Sequence, residues 1–217
     1  MGLNKQNGNM YDFVTHTWNT IKGKCYHDCS YCYMKVWGKL PDIRFDVGEL
    51  NTPLGQDRFI FVGSSNDMFA KKIPNEWIEK TIDHCKKFNN RYLFQTKNPN
   101  RMLFYTYPED TVFGTTIETN RKYEGISLAP SVWERAEAIG RLEKYQTMVT
   151  IEPILDFDLD QMIALIRAAQ PNWVNIGADS KKGNLPEPSG DKVRELIDAL
   201  SFVEIKTKKN LRRLKSA

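Results

Sequence analysis

The chain has 217 residues, of which 41% are hydrophobic and 27% charged, with a net charge of +4. These are ordinary values for a soluble globular protein, and the length suffices for one domain with a sizeable core. No apolar run approaches a membrane span, and the polar start MGLNKQNGNM lacks the apolar region of a signal peptide, so a cytoplasmic location with reduced thiols is expected.

In chain order, HTWNTIKG (16–23) reads as an opening strand that feeds the loop KCYHDCSYC (24–32). There Cys25, Cys29 and Cys32 follow C-x3-C-x2-C, while the fourth cysteine, Cys85, is far away. LPDIRFDVGELNTPLGQDR (40–58) is the longest irregular segment and is expected to form a flap over one end of the molecule. FIFVG (59–63) predicts a buried strand, and EWIEKTIDHCKKF (76–88) a helix with Ile78, Ile82, Cys85 and Phe88 on one face. On that helix Cys85 reads as a buried structural thiol and His84 as a solvated neighbour.

YLFQT (92–96), a short helix near 99–106 and VFGTTIE (112–118) follow, then the helix WERAEAIGRLEKY (133–145), with Ser131 and Glu134 as a capping box. TMVTIEP (147–153) precedes a helix at 158–169 capped by Asp158. NWVNIGA (172–178) precedes a helix at 189–200 capped by Ser189, and FVEIKT (202–207) reads as a last strand. Alternating strands and helices predict a parallel α/β fold. Six units and a seventh strand fall short of an eight-unit barrel, so a partial, open (β/α)6 TIM-like barrel with outer helices is expected, an open doubly wound sheet being the alternative. Residues 1–217 read as a single domain: a barrel core at 16–180, then a C-terminal helix, last strand and basic tail in 181–217.

Polar residues follow the strand ends, where parallel α/β folds build their sites. They include Gly63, Ser64, Ser65 and Asp67; Lys97; Thr116, Glu118 and Thr119; Glu152; and Asp179 and Ser180. Singly, each also reads as a cap or turn residue. The tail KTKKNLRRLK (206–215) has no acid; it reads either as a solvated face or as a phosphate-contacting patch.

Three clustered cysteines admit three readings. A Cys3His zinc site would need His27 or His16 as fourth ligand. A disulfide leaves one thiol over. Three thiolates on a [4Fe–4S] cube leave one iron open to a cofactor. This spacing, with Tyr31 at the aromatic position, resembles the radical S-adenosylmethionine (SAM) superfamily. The motifs FVGSSNDMF, FQTKNPNRM, GTTIETN, TIEPI and WVNIGADS, in this order, resemble a small phage-associated branch of it related to spore photoproduct lyase-like proteins.

The resemblance implies a [4Fe–4S] cluster on Cys25, Cys29 and Cys32, with SAM on its fourth iron. It places Tyr31, Gly63, Ser64, Ser65, Asp67, Lys97, Thr116, Glu118, Thr119 and Ile151 around the cofactor. The turn Gly63-Ser64-Ser65 departs from the usual Gly-Gly-Glu-like sequence, with Asp67 following it. Glu118 and Glu152 are the catalytic candidates, and Lys97, Glu152, Asp179 and Ser180 the substrate candidates. Tyr33 and Trp37 are expected to shield the site.

The implied activity is reductive cleavage of SAM to a radical that abstracts hydrogen from a nucleic-acid base or nucleotide. An isomerase, lyase or group-transfer reaction in phage DNA hypermodification, in the host cytoplasm, would fit. A flavodoxin- or ferredoxin-like electron donor is the expected partner, and no membrane is involved. The alternatives are a radical SAM enzyme on a small metabolite or peptide, and a zinc-stabilised binding module without activity.

Overall fold

A computed structural model describes residues 2–6, 10–180 and 185–215; residues 1, 7–9, 181–184 and 216–217 lie outside the described residues. The strands are β1 (Asn4–Lys5), β2 (His16–Trp18), β3 (Ile21–Lys22), β4 (Arg44–Phe45), β5 (Phe59–Val62), β6 (Arg91–Thr96), β7 (Thr111–Thr116), β8 (Gln146–Ile151), β9 (Trp173–Ile176) and β10 (Glu204–Thr207). The helices are α1 (Asn75–Cys85), α2 (Val132–Gly140), α3 (Leu159–Ala169), α4 (Gly190–Ala199) and the short α5 (Arg212–Lys215).

Eight strands form one sheet in the order β1-β2-β5-β6-β7-β8-β9-β10, while β3 and β4 pair antiparallel apart from it. From β2 to β10 every ladder is parallel; only β1 runs antiparallel to β2. Among the described residues β1 and β10 share no ladder, so the partial TIM-like barrel stays open along that seam.

The two-residue period of the strands sorts side chains onto two faces. Ile60, Val62, Tyr92, Phe94, Phe113, Val149 and Ile176 face outward and pack with the apolar stripes of the helices. Each such buried side chain contributes about 1.5–3 kcal/mol. Phe61, Leu93, Val112, Met148 and Trp173 face inward, and Tyr11 and Val14 join them. The Tyr11 and Phe13 rings stack at 5.3 Å, and Phe13 also meets Phe59 and Trp173. The N-terminal segment thus fills the lower barrel, and the Tyr11 hydroxyl donates to Gln95 at 2.8 Å and bonds Thr150 at 2.6 Å. Along β6 the inward side chain changes from Leu93 to Gln95, and along β8 from Met148 to Thr150, so the barrel turns polar toward the strands' C-terminal ends.

Local sequence accounts for the helix starts. Ser131 and Glu134 form the reciprocal capping box before α2, and the Ser189 side chain accepts from the Lys192 amide before α4. Asp158 stands at the N-cap of α3 but makes no side-chain cap bond; it accepts from Asn120 and Arg121 instead. His84 is not solvated: it is 5% exposed and its Nε2 lies 2.8 Å from the Thr52 carbonyl oxygen. Tyr33 and Trp37 lie in a 3₁₀ turn (Tyr33–Trp37) directly after Cys32; Tyr33 lines the cavity at the strand ends and its hydroxyl donates to the Ser64 carbonyl, whereas Trp37, at 76% exposure, faces solvent and does not shield the site. The expected flap at 40–58 holds β4 and a 3₁₀ turn (Val47–Asn51), fixed by Lys22 to Asp46 and Glu49. No helix among the described residues is long and apolar enough to cross a membrane.

Candidate functional site

Above the Tyr11 floor lies a cavity of about 500 Å³ at the C-terminal ends of the strands. One wall is the cysteine loop, contributing Cys25, Cys29, Tyr31 and Cys32. The turn Gly63–Asp67 after β5, Lys97 after β6, Thr116 of β7, Glu152 after β8, and Asp179 and Ser180 after β9 complete it. Sequence reasoning placed all of these at strand ends, and the parallel register brings them together.

All three loop cysteines are unbonded to one another. The Cys29 sulfur lies 3.2 Å from the Ser127 hydroxyl, and the Cys25 sulfur accepts from the His27 amide at 3.5 Å. Burial, with the Asp67 charge adding to it, pushes the Cys25 thiol up to about 12. Such a thiol is no nucleophile by itself; a bound cation would be needed to draw off its proton. Among the described residues no group of His, Cys, Asp and Glu is arranged to hold a single metal ion. His27, the candidate fourth zinc ligand, has its Nε2 3.0 Å from Asp67 Oδ2.

Asp67 ties three elements together. It accepts from the Thr96 hydroxyl at 2.6 Å, the Lys97 amide at 2.8 Å and the Phe69 amide at 3.0 Å, besides facing His27. Burial alone would raise its carboxyl, but His27, Thr96 and the Lys97 amide outweigh burial and hold it below the usual range. The preceding turn relies on Gly63, whose φ of +81° suits glycine. Asn19 holds this turn, accepting from the Ser65 amide at 2.9 Å and meeting the Ser64 hydroxyl. The Ser64 carbonyl accepts from the Tyr33 hydroxyl at 2.6 Å.

Glu118 belongs to a buried network beside the cavity, outside its described lining. Its carboxylate accepts from Tyr31 at 2.8 Å and Arg135 at 2.7 Å, with Lys97 Nζ at 3.6 Å. Burial raises its carboxyl, but the Lys97 and Arg135 charges win and bring it down to about 2. Lys97 also lies 5.1 Å from the Tyr31 ring centroid, and its buried Nζ has no hydrogen-bond partner among the described residues. Thr119 likewise stays outside the lining; it donates to the Asp156 carbonyl and shapes the turn after β7. The Ile151 side chain packs in the outward core.

On the far wall Glu152 accepts from Lys208 at 2.7 Å and Asn210 at 3.0 Å. Gly177 makes room for it: a Cβ there would lie 2.8 Å from the Glu152 carboxyl carbon. The basic tail is therefore part of the fold. Leu211 and Leu214 are buried, and Arg213 bonds Glu187 and the Asp179 carbonyl. Sequence reasoning missed Tyr11, Asn19, Gln95, Arg135, Lys208 and Asn210. Only Arg135 left a clear trace, as a charge at helical spacing with Ile139 and Leu142 on an otherwise apolar stripe.

No family model matches the chain, and no curated protein matches it in sequence. In three dimensions it is similar to spore photoproduct lyase complexed with dinucleoside spore photoproduct, at a TM-score of 0.65 and 13% identity over 93% of this chain and 79% of that one. A mutant of that lyase with bound AdoMet and the same dinucleoside gives a TM-score of 0.63 at 14% identity, over 98% of this chain and 77% of that one. The chain has the fold of spore photoproduct lyase. The spore photoproduct lyase fold accounts for the parallel strands and the shared position of their ends; the chemistry rests on the side chains above.

Proposed function

We propose that the chain is a radical SAM enzyme acting on a nucleic-acid base or nucleotide. One observation carries the reading: three mutually unbonded thiols and a buried ammonium without a hydrogen-bond partner among the described residues line one cavity. The donor set fits a [4Fe–4S] cluster held by Cys25, Cys29 and Cys32, while His27, the candidate fourth ligand of a zinc site, is engaged with Asp67. When bound, the cluster and SAM supply a 5′-deoxyadenosyl radical that abstracts hydrogen from the substrate, using one electron from a flavodoxin- or ferredoxin-like donor.

The chain's own residues bind and orient. Lys97 suits the SAM carboxylate. Ser65, whose carbonyl and hydroxyl have no partner among the described residues, suits its ammonium with the Gly63–Ser64 turn behind. Tyr31 and Thr116 present surface for the nucleoside. Glu118 fixes Tyr31 and Lys97 from behind, so its part is positioning. Glu152, Asp179 and Ser180 lie across the cavity, where Glu152, with Lys208, orients the substrate and can hold a proton.

A nucleic-acid substrate is supported by the dinucleoside in the similar lyase. A narrower role in phage DNA hypermodification rests on motif resemblance, and assays on modified pyrimidines test it. The activity is tested by anaerobic reconstitution with iron, sulfide, SAM and dithionite. 5′-Deoxyadenosine is expected from the native chain and none from Cys29→Ala. A colourless protein with one zinc and no sulfide would support the binding-module alternative instead.

A further inference from the structure

A second cavity, of about 640 Å³, opens along the unclosed seam of the barrel. One side is the segment Met10–Phe13; the other is Lys206 and Thr207 of β10 with Lys208, Lys209 and Asn210 after it. It shares Met10, Tyr11, Ser180 and Lys208 with the first cavity, so the two adjoin across the Tyr11–Lys208 wall. We propose that this groove holds the phosphate, and the adjoining unit, of a nucleotide substrate whose base occupies the first cavity. The inference rests on the radical SAM reading for the role of that first cavity.

Charge is the first argument. Three lysines line the groove against one acid, Asp12. Lys208 is balanced by Glu152, but Lys209 has no ion pair among the described residues, and Lys206 meets only Glu204, at 3.6 Å. The groove therefore keeps a positive excess suited to a phosphate.

Preorganisation is the second. Lys206 Nζ lies 4.5 Å from the Trp173 ring centroid and 5.8 Å from that of Phe13, and Lys208 Nζ 5.1 Å from that of Tyr11. Ring faces thus hold both lysines in place, which lowers the entropy lost on binding an anion. Asn210 is fixed by donating to Glu152, Ala178 and Ser180, and its buried Oδ1 has no partner among the described residues. That acceptor suits a sugar hydroxyl or a base N–H of the same ligand.

The third argument is topological. In a closed barrel β10 would pair with the opposite edge and seal this side. Here, among the described residues, the sheet ends at β10, and a second cavity adjoins the inner one on that side, where the next unit of a longer chain would lie.

The test is calorimetric titration of the reconstituted protein with thymidine, thymidine 5′-monophosphate and the dinucleoside monophosphate TpT. TpT is expected to bind at least about tenfold more tightly than thymidine, with an affinity that falls as salt rises. In the double variant Lys206→Gln/Lys209→Gln this gap should close, while thermal unfolding confirms an intact fold. If the monophosphate matches TpT, the groove binds phosphate from a free nucleotide. Equal binding of TpT and thymidine, no TpT binding up to about 1 mM, or a gap unchanged in the variant overturns the proposal. Formation of 5′-deoxyadenosine by the native chain is scored separately, so loss of the cofactor reading and loss of the groove are told apart.

Discussion

Tyr31, inside the cysteine loop, and Glu118, just beyond β7, are joined by a 2.8 Å hydrogen bond across 87 residues of sequence. Glu118 is only 3% exposed and is also paired with Arg135, so the bond fixes one wall of the cavity to the sheet. Replacing Glu118 by Gln leaves Arg135 buried without its counter-charge. Breaking a buried pair in this way costs about 3–5 kcal/mol. The expected outcome in urea unfolding is a loss of that order, with weaker SAM binding in the reconstituted protein as Tyr31 and Lys97 lose their support.

The same carboxylate predicts a pH dependence. Its pKa in the folded chain is lowered from 4.5 to about 2. A depressed folded value means that its stabilisation is fully present above the unfolded value and is lost as pH falls through the folded one. Stability should therefore fall between pH 4.5 and about 2. Glu118→Gln should flatten that part of the profile, measured by unfolding at each pH.

Lys97 separates binding from stability. Its ammonium is buried without a hydrogen-bond partner among the described residues, and Arg135 stays paired with Glu118 when it is removed. Lys97→Met should cost some stability, because Lys97 is the larger of the two charges that hold Glu118 ionised, but less than Glu118→Gln, because Arg135 remains paired with the carboxylate. SAM affinity should nonetheless drop about tenfold or more, the scale of a lost charge-assisted hydrogen bond.

Gly177 tests the Glu152 wall without touching either charge. A Cβ there would meet the Glu152 carboxyl carbon at 2.8 Å. Gly177→Ala should cost about 1–3 kcal/mol as overpacking and move the carboxylate away from Lys208 and Asn210. Substrate turnover should fall while iron content stays at the native level.

The tail makes a further prediction. Leu211 is 1% exposed and Leu214 8%, so truncation after Thr207 removes core packing as well as charge. Losing one buried leucine costs about 2–5 kcal/mol. Truncated protein should melt at a clearly lower temperature, even if residues 208–217 contact no substrate.

The strands and their order were legible because each central strand is a short Val-, Ile- and Phe-rich run closed by polar residues, and parallel register then aligns those ends. β1 and the β3–β4 pair were not, since two-residue ladders carry no periodicity. The site was legible where it comes directly after a strand, as at Asp67, Lys97 and Glu152. Tyr11 and Lys208 come from opposite ends of the chain, and only the open seam brings them together. His84 was misplaced because Thr52, the loop residue that covers it, has no signature in the helix's own pattern.

The most direct measurement is electron paramagnetic resonance of the anaerobically reconstituted, dithionite-reduced protein before and after SAM is added, with iron and sulfide counted in parallel. Four irons and four sulfides per chain are expected, with a reduced-cluster signal that shifts on adding SAM and is lost in Cys29→Ala. A reconstituted cluster whose signal ignores SAM, or a chain that retains no iron while all three cysteines remain reduced, would contradict the account.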